Sequence, residues 1–344
     1  MKALVLNGPG EPFSLETVPD PVPGPGEAVA RVISCGAGLT IQHVKAGRAK
    51  VDYPRIIGHE ITGVIEAMGE GVTDISIGDP VTAYFYLTCG VCKWCRIDRE
   101  TLCENFGGYV GRACNGGYAE LIKLPAKNFV KLPAALDWKA HPAEVGVITD
   151  AIAKPVKVIR HAGVKAGETV AVFGAGGGLG IHMLMLAKWA HAHVIAVDIA
   201  EDKFDACRQA GADECINPRD GNAVEALMEL SGGGVDVSID FVSSIETLET
   251  AVQCLGRGGR MVTLGGSGNL FSTHAHAMLE KELVLMGSRY ATRQEVIDSL
   301  NLCARGDVWP LVTETADMDG AEALHERLEK GLVSGRAAIL IDGS

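Results

Sequence analysis

No stretch of this chain reaches the roughly eighteen consecutive apolar residues that a bilayer-spanning helix needs, so a transmembrane segment is not expected. Positive charge is also scarce, with 31 Lys and Arg against 43 Asp and Glu and a net charge of −12. Binding nucleic acid or an anionic membrane requires a basic face, so neither is expected as a partner. Met1 to Val5 runs straight into a strand-like pattern with no signal-peptide plan, from which a cytoplasmic protein is expected. Repeats and low-complexity tails are missing, and the 43 glycines follow no triplet period. What remains is an ordinary globular composition, 47% apolar and 22% charged, with a small molecule as the expected partner. At 344 residues the chain exceeds what one core usually supports, which predicts two domains.

Ten cysteines are present, but not in the even spread of a short secreted disulfide scaffold. Four crowd into CGVCKWCRIDRETLC, where Cys89, Cys92, Cys95 and Cys103 follow the spacing C-x2-C-x2-C-x7-C. Short loops of this kind wrap four thiolates around one tetrahedral ion, and zinc is favoured over an iron–sulfur cluster, whose ligands prefer other spacings. With every position filled by protein, such an ion stabilises a loop and does no chemistry. The other six cysteines, 35, 114, 207, 215, 254 and 303, read as small core hydrophobes or surface thiols.

The texture of the chain changes near residue 150. Before it, short β-like runs (KALVL, EAVARVI, ITGVIEAMG, DPVTAYF) are broken by Gly, Pro and Asp, which predicts a β-rich, barrel-like domain. After it, apolar strands such as ETVAVFG, HVIAVD and VDVSIDFV alternate with helical patterns, which predicts a parallel sheet covered on both faces. The fold class is therefore α/β with a second, β-rich domain.

The first strand-to-helix turn of that half is VFGAGGGLGIH. Ala175, Gly177 and Gly180 occupy the three slots of a G-x-G-x-x-G frame, with Gly174 just before them and Gly176, Gly178 and Leu179 between. Small residues there allow a tight turn, close approach to a pyrophosphate and tight helix packing. Asp198 ends the next strand, where an acid accepts hydrogen bonds from ribose hydroxyls and repels a 2′-phosphate, so NAD is favoured over NADP. Val262 and Gly265, in VTLG, end a later strand on the same ligand-binding edge. The alternative is a doubly wound domain that binds some other ligand.

With these residues in view, the whole chain resembles the zinc-containing alcohol dehydrogenases of the medium-chain dehydrogenase/reductase superfamily. The likeness rests on GHEITGVIEAMGEGV (Gly58 to Val72), the cysteine loop, GGYAELIKLP, GAGGGLG with Asp198, and GRAAIL. It implies a GroES-like catalytic domain over 1–150 and 290–344, a Rossmann NAD-binding domain over 151–289, and a homodimer or homotetramer. It also implies that Arg336 reaches the cofactor pyrophosphate and that Lys203 lies on the ribose side, against the plainer reading of Lys203 as a solvated helix charge.

In that family a catalytic zinc takes three protein ligands and leaves a fourth position open. By the resemblance His59 is one ligand, Asp150 another, and Glu60 stands close enough to approach the metal. The remaining ligand would be a cysteine in the stretch SCGAGLTIQHV, but Gly38 holds its place. Three readings follow. Zinc stays in an oxygen-rich site of His59, Asp150 and Glu60; or Cys35 moves in, across about 10 Å of extended chain and a change of direction; or zinc is abandoned and a hydroxyl such as that of Thr40 stabilises developing negative charge. Buried His59 could equally be a satisfied core histidine. Thr40 and His43 fill the places of an alcohol proton relay through the cofactor ribose, a histidine being suited to neutral pH. The leading expectation is an NAD-dependent alcohol dehydrogenase or carbonyl reductase. The alternatives are a zinc-independent reductase of activated C=C bonds and an NAD-binding sensor without turnover.

Overall fold

The computed structural model describes residues 1–341. The chain forms two units, Met1–Ala153 together with the segment from Ala291 onward, and Lys154–Tyr290.

In the first unit the alternating runs become mainly antiparallel strands. Lys2–Leu6 lies between Ser14–Thr17 and Arg55–Ile56 in a three-stranded sheet. The longer strand Glu27–Ala37, rich in Val, Ile and Ala and free of proline, is the centre of a seven-stranded sheet. It pairs antiparallel with Ile61–Met68, Leu121–Pro125 and Arg336–Leu340. Pro80–Ala83 and Phe129–Lys131 extend one side, and Val312–Ala316, parallel to Arg336–Leu340, closes the other. Ile61, Ile65, Tyr118, Ile122, Leu124 and Phe129 fill the core. Each contributes about 1.5–3 kcal/mol through the apolar area it removes from water. The C-terminal strand pairs Ala337 with Ala37 and Ala338 with Gly36, and one further step of this register sets Arg336 opposite Gly38.

In the second unit six strands run parallel, in the order Glu214–Ile216, His193–Val197, Thr169–Phe173, Val235–Asp240, Leu255–Thr263 and Val284–Gly287. Covered on both faces, the central strands are buried almost without interruption, as the apolar runs in Thr169–Phe173 and His193–Val197 require, while Val235–Asp240 buries Ser238 and Asp240 among its apolar residues. Strand order reverses between Thr169–Phe173 and Val235–Asp240, which opens a crevice at their carboxyl ends. Helices are stopped and started by local chemistry: the Ser244 hydroxyl accepts from the Thr247 N–H at the start of Ile245–Gln253, and the Thr247 side chain reciprocates. Among the described residues no helix is long and apolar enough to cross a membrane.

A buried polar network ties the helix Ala321–Glu329 into the first unit. His325 is fully buried, and its Nδ1 lies 2.7 Å from Gln42 Oε1 while Tyr118 Oη lies 2.9 Å from Nε2. The Gln42 amide donates in turn to Glu329 at 2.8 Å, so Oε1 is its acceptor end and His325 carries its proton on Nδ1. Burial, then the nearby Lys45 ammonium, pushes His325 down to about 3. An unfolded histidine takes up a proton below about 6.5, whereas this one stays neutral until far lower pH, so the unfolded state binds more protons in between. Stability is therefore lost as pH falls from about 6.5 toward 3, by about 1.4 kcal/mol per unit from this group alone. Denaturant unfolding at pH 6.5 and 5.0 should show that slope, and His325→Gln should reduce it by close to one proton.

Candidate active site

The four cysteines that the sequence groups together meet in space. Sulfur separations are 3.9 Å for Cys89 to Cys95, 3.5 Å for Cys92 to Cys95, 4.0 Å for Cys92 to Cys103 and 3.5 Å for Cys103 to Cys89. A tetrahedron with Zn–S bonds of about 2.3 Å has edges of about 3.8 Å, so the donors fit zinc in number, chemistry and spacing. Two 3₁₀ turns, Cys95–Ile97 and Glu100–Leu102, bring the later sulfurs back to the first. Amide N–H groups of Val91 and Cys92 donate to Cys89 Sγ and draw that thiol down to about 6, toward the thiolate a metal takes.

The glycine-rich turn lies at the end of Thr169–Phe173 and opens the helix Gly180–Trp189, with Leu179 at its N-cap. Gly174 sits at φ +74°, a backbone conformation that glycine adopts without strain. Ala175 is buried beneath the turn, and a side chain on Gly180 would drive into the Gly174 carbonyl and the Ala175 backbone. On Gly177 it would meet the Gly174 carbonyl at 3.3 Å, while the Gly178 carbonyl accepts from His182 Nδ1 at 2.7 Å. Asp198 takes the Gly176 N–H at 2.8 Å and the Ala200 N–H at 3.0 Å. These bonds hold its carboxylate beside the turn. Lys203, in the short turn Glu201–Lys203, lays its aliphatic stem 2.9 Å from where a Gly176 side chain would begin. A cavity of about 640 Å³ lined by Gly174, Asp198, Arg219, Asn222, Val242 and Thr247 adjoins the turn, within the usual size range for a small-molecule site. Val262 is buried in Leu255–Thr263, and Gly265 follows that strand, packed against Ser243. A compact glycine cradle with an oriented acid beside it fits a dinucleotide.

In the first unit His59, Glu60 and Asp150 come together although 90 residues separate the last two. One donor atom from each lies within 4.8 Å of the others. His59 stacks on Phe85 with ring centroids 3.8 Å apart, and its Nε2 lies 3.9 Å from Glu60 Oε1. Asp150 is carried by the π-helical turn Ile148–Ile152, which continues from the helix Pro142–Val147. The fourth member is Arg336. Its Nη2 donates to Glu60 Oε1 in a short ion pair and lies 3.5 Å from Asp150 Oδ2. Glu60 and Asp150 are 1% exposed and Arg336 4%, so these charges are compensated by one another rather than by water. Burial opposes the guanidinium's charge, but the two carboxylates outweigh it and hold its pKa above the usual arginine value.

Gly38 is the other half of this arrangement. Its backbone is extended, at φ −138°, so any residue could adopt it, yet a Cβ there would stand 2.7 Å from both Nη1 and Nη2 of Arg336. The guanidinium thus fills the place where a side chain at position 38 would project. Gly36 has the same character, since a side chain there would collide with Glu60 and Val147. Cys35 points to the opposite face of the strand, where it packs against Gly58 and Gly117. Phe85, Gly36 and Val147 carry no signal in the sequence. The closeness of Arg336 to Gly38 was available only through the pairing of their two strands.

Thr40 and His43 lie three residues apart on the helix Leu39–Lys45, which begins at Gly38, and so share one face. The opposite face is anchored: buried Gln42 bonds Glu329, and buried Lys45 bonds Glu322 at 2.7 Å. That leaves Thr40 half-buried and His43 exposed. Desolvation, followed by the positive charge of Arg48, holds His43 below its ordinary 6.5, against an opposing pull from Glu329.

These features have counterparts in known proteins. Residues 24–134 match the alcohol dehydrogenase GroES-like domain, and residues 178–305 match the zinc-binding dehydrogenase family. The chain is 34% identical over 344 residues to an alcohol dehydrogenase of Geobacillus stearothermophilus, covering 98% of each. It is 30% identical to an acryloyl-coenzyme A reductase of Sulfurisphaera tokodaii, covering 94% of each. Among solved structures it is similar to a cobalt- and zinc-bound thermostable alcohol dehydrogenase from Pyrobaculum aerophilum, with a TM-score of 0.88, 29% identity and 99% of both chains covered. A glycine cradle on a parallel sheet, a four-cysteine loop and a β-rich unit carrying GHE therefore have one common explanation: the chain is an oxidoreductase belonging to the zinc-containing alcohol dehydrogenase family of medium-chain dehydrogenase/reductases.

Proposed function

We propose that the protein exchanges a hydride between NAD(H) and the alcohol or carbonyl carbon of a small molecule. The observation that carries this reading is the placement of Thr40 and His43 on one face of a helix whose N-cap residue, Gly38, abuts Arg336 of the His59, Glu60, Asp150 and Arg336 cluster. NAD(H), when bound, supplies or accepts the hydride. The glycine turn holds the pyrophosphate, and Asp198 receives the ribose hydroxyls while repelling a 2′-phosphate. Thr40 takes the proton of the reacting hydroxyl and passes it toward His43, which is neutral at pH 7 and so able to accept it. The cysteine loop, when it holds zinc, keeps residues 89–103 folded.

A second reading, reduction of a C=C bond conjugated to a carbonyl or thioester, is favoured by the guanidinium lying on the carboxylates of the GHE cluster and by the likeness to an acryloyl-coenzyme A reductase. NADH consumption with ketones, aldehydes, enones and enoyl thioesters separates the two. Turnover of the carbonyls and of the corresponding alcohols with NAD is expected; turnover of the conjugated alkenes alone overturns the first reading, and no turnover at all supports a sensor. Thr40→Val and His43→Gln should each lower kcat/KM for alcohol oxidation by roughly 10²-fold.

Protonation removes His43 as a base, so alcohol oxidation should fall on the acid side with an apparent pKa below 6.5. Arg48→Ala, which removes a cation, should shift that limb upward in a pH–rate profile. Asp198→Gly should cut the preference for NAD over NADP by roughly tenfold or more, read from the ratio of kcat/KM values. Cys103→Ser should release one equivalent of zinc and lower Tm by roughly 5 °C or more, as found by metal analysis and thermal unfolding.

A further inference from the structure

A buried pair of carboxylates beside an imidazole is a cation site, and in this protein a cation of its own already stands in it. We infer that the Arg336 guanidinium is the resident cation of the His59, Glu60 and Asp150 cluster, seated there because position 38 is glycine, and that it keeps a metal ion out. Three observations converge on this. Nη2 of Arg336 contacts one oxygen of each carboxylate, Glu60 Oε1 and Asp150 Oδ2, in a cluster whose three side chains could together hold a metal. Both Nη atoms stand 2.7 Å from where the first carbon of any side chain at position 38 would lie, too close for both to keep their places. The register of Arg336–Leu340 on Glu27–Ala37 holds the arginine opposite that glycine, so the contact is set by backbone pairing and not by a wandering surface side chain.

The missing ligand and the seated arginine are thus one change seen from two sides. A cysteine at position 38 would press its Cβ against the guanidinium and displace it from the carboxylates. Glycine removes a thiolate donor and admits the planar fork that matches carboxylate oxygens. The consequence reaches the chemistry, because a guanidinium balances buried negative charge as a metal would but has no open coordination position for a substrate oxygen. Polarisation of that oxygen then falls to hydrogen-bond donors such as Thr40. Arg336 acts in this scheme as a positioning residue for Glu60 and Asp150. The inference goes beyond the proposed reaction and does not depend on which substrate class is turned over.

Metal content tests it without reference to turnover. The full-length protein is equilibrated with excess zinc, dialysed and analysed by mass spectrometry for metal, alongside the variant Gly38→Cys combined with Arg336→Ala. Folding of both is checked by circular dichroism and cooperative thermal unfolding. About one zinc per chain in the parent, at the cysteine loop, and about two in the double variant are expected. Cobalt added to the double variant should also give the visible absorption bands of a thiolate-ligated tetrahedral site. Two zinc ions in the parent overturn the inference, since the arginine would not be excluding metal. One zinc in both also overturns it, since removing the arginine and restoring a thiolate would then have opened nothing. If the alanine variant does not fold, Gly38→Cys with Arg336→Gln, which keeps a hydrogen bond to Glu60 and removes the charge, is read in the same way.

Discussion

The antiparallel pairing of Arg336–Leu340 with Glu27–Ala37 is the contact on which the first unit's site depends. It draws the end of the chain back onto a strand laid down some 300 residues earlier and sets the register residue by residue. Side chains alternate across a strand, so this register decides that Gly36, Gly38 and Arg336 lie on the side of the Glu60 carboxylate while Cys35 lies on the other, against Gly58 and Gly117. A slip of one residue would turn the guanidinium to the other face. Glu60 and Asp150 would then be buried without a cation, among the costliest defects a protein interior can contain.

Chemistry in this molecule is divided among elements with different physical tasks. The cysteine loop gathers four sulfurs with the edge lengths of a tetrahedron, a task of folding. Close packing around the glycine turn leaves its backbone open to a phosphate, and paired amides orient Asp198 beside it. The helix Leu39–Lys45 is pinned by Gln42 and Lys45 to the helix Ala321–Glu329, which holds its Thr40 and His43 face in a fixed direction. Neutral, buried His325 belongs to this support: it ties Gln42 to Tyr118 and thereby connects the same helix to the core.

Much of the molecule was legible from sequence because the relevant interactions are local. Spacing alone brings Cys89, Cys92, Cys95 and Cys103 within reach of one ion. A run of small residues between an apolar strand and an apolar helix identifies the turn at Gly174 to Gly180, and Asp198 follows from the length of one strand–helix–strand unit. The change from alternating to continuous apolar strands near residue 150 marks the passage from a mainly antiparallel sheet to a parallel one, since a strand covered on both faces needs apolar residues on both. Even the absence of a ligand at position 38 could be read from the neighbouring residues that match the family.

What took that ligand's place could not be read there. Arg336 lies 298 positions from Gly38, and the sequence around each has an ordinary explanation by itself: a turn before a helix, and a basic residue at the start of a strand. Their complementarity exists only once two strands pair in one register and a π-helical turn carries Asp150 to the same spot. Sequence therefore determined the local geometry, the four-cysteine loop and the glycine turn. Tertiary structure decided which cation sits among the buried carboxylates, because that choice depends on volume and charge shared by residues far apart along the chain.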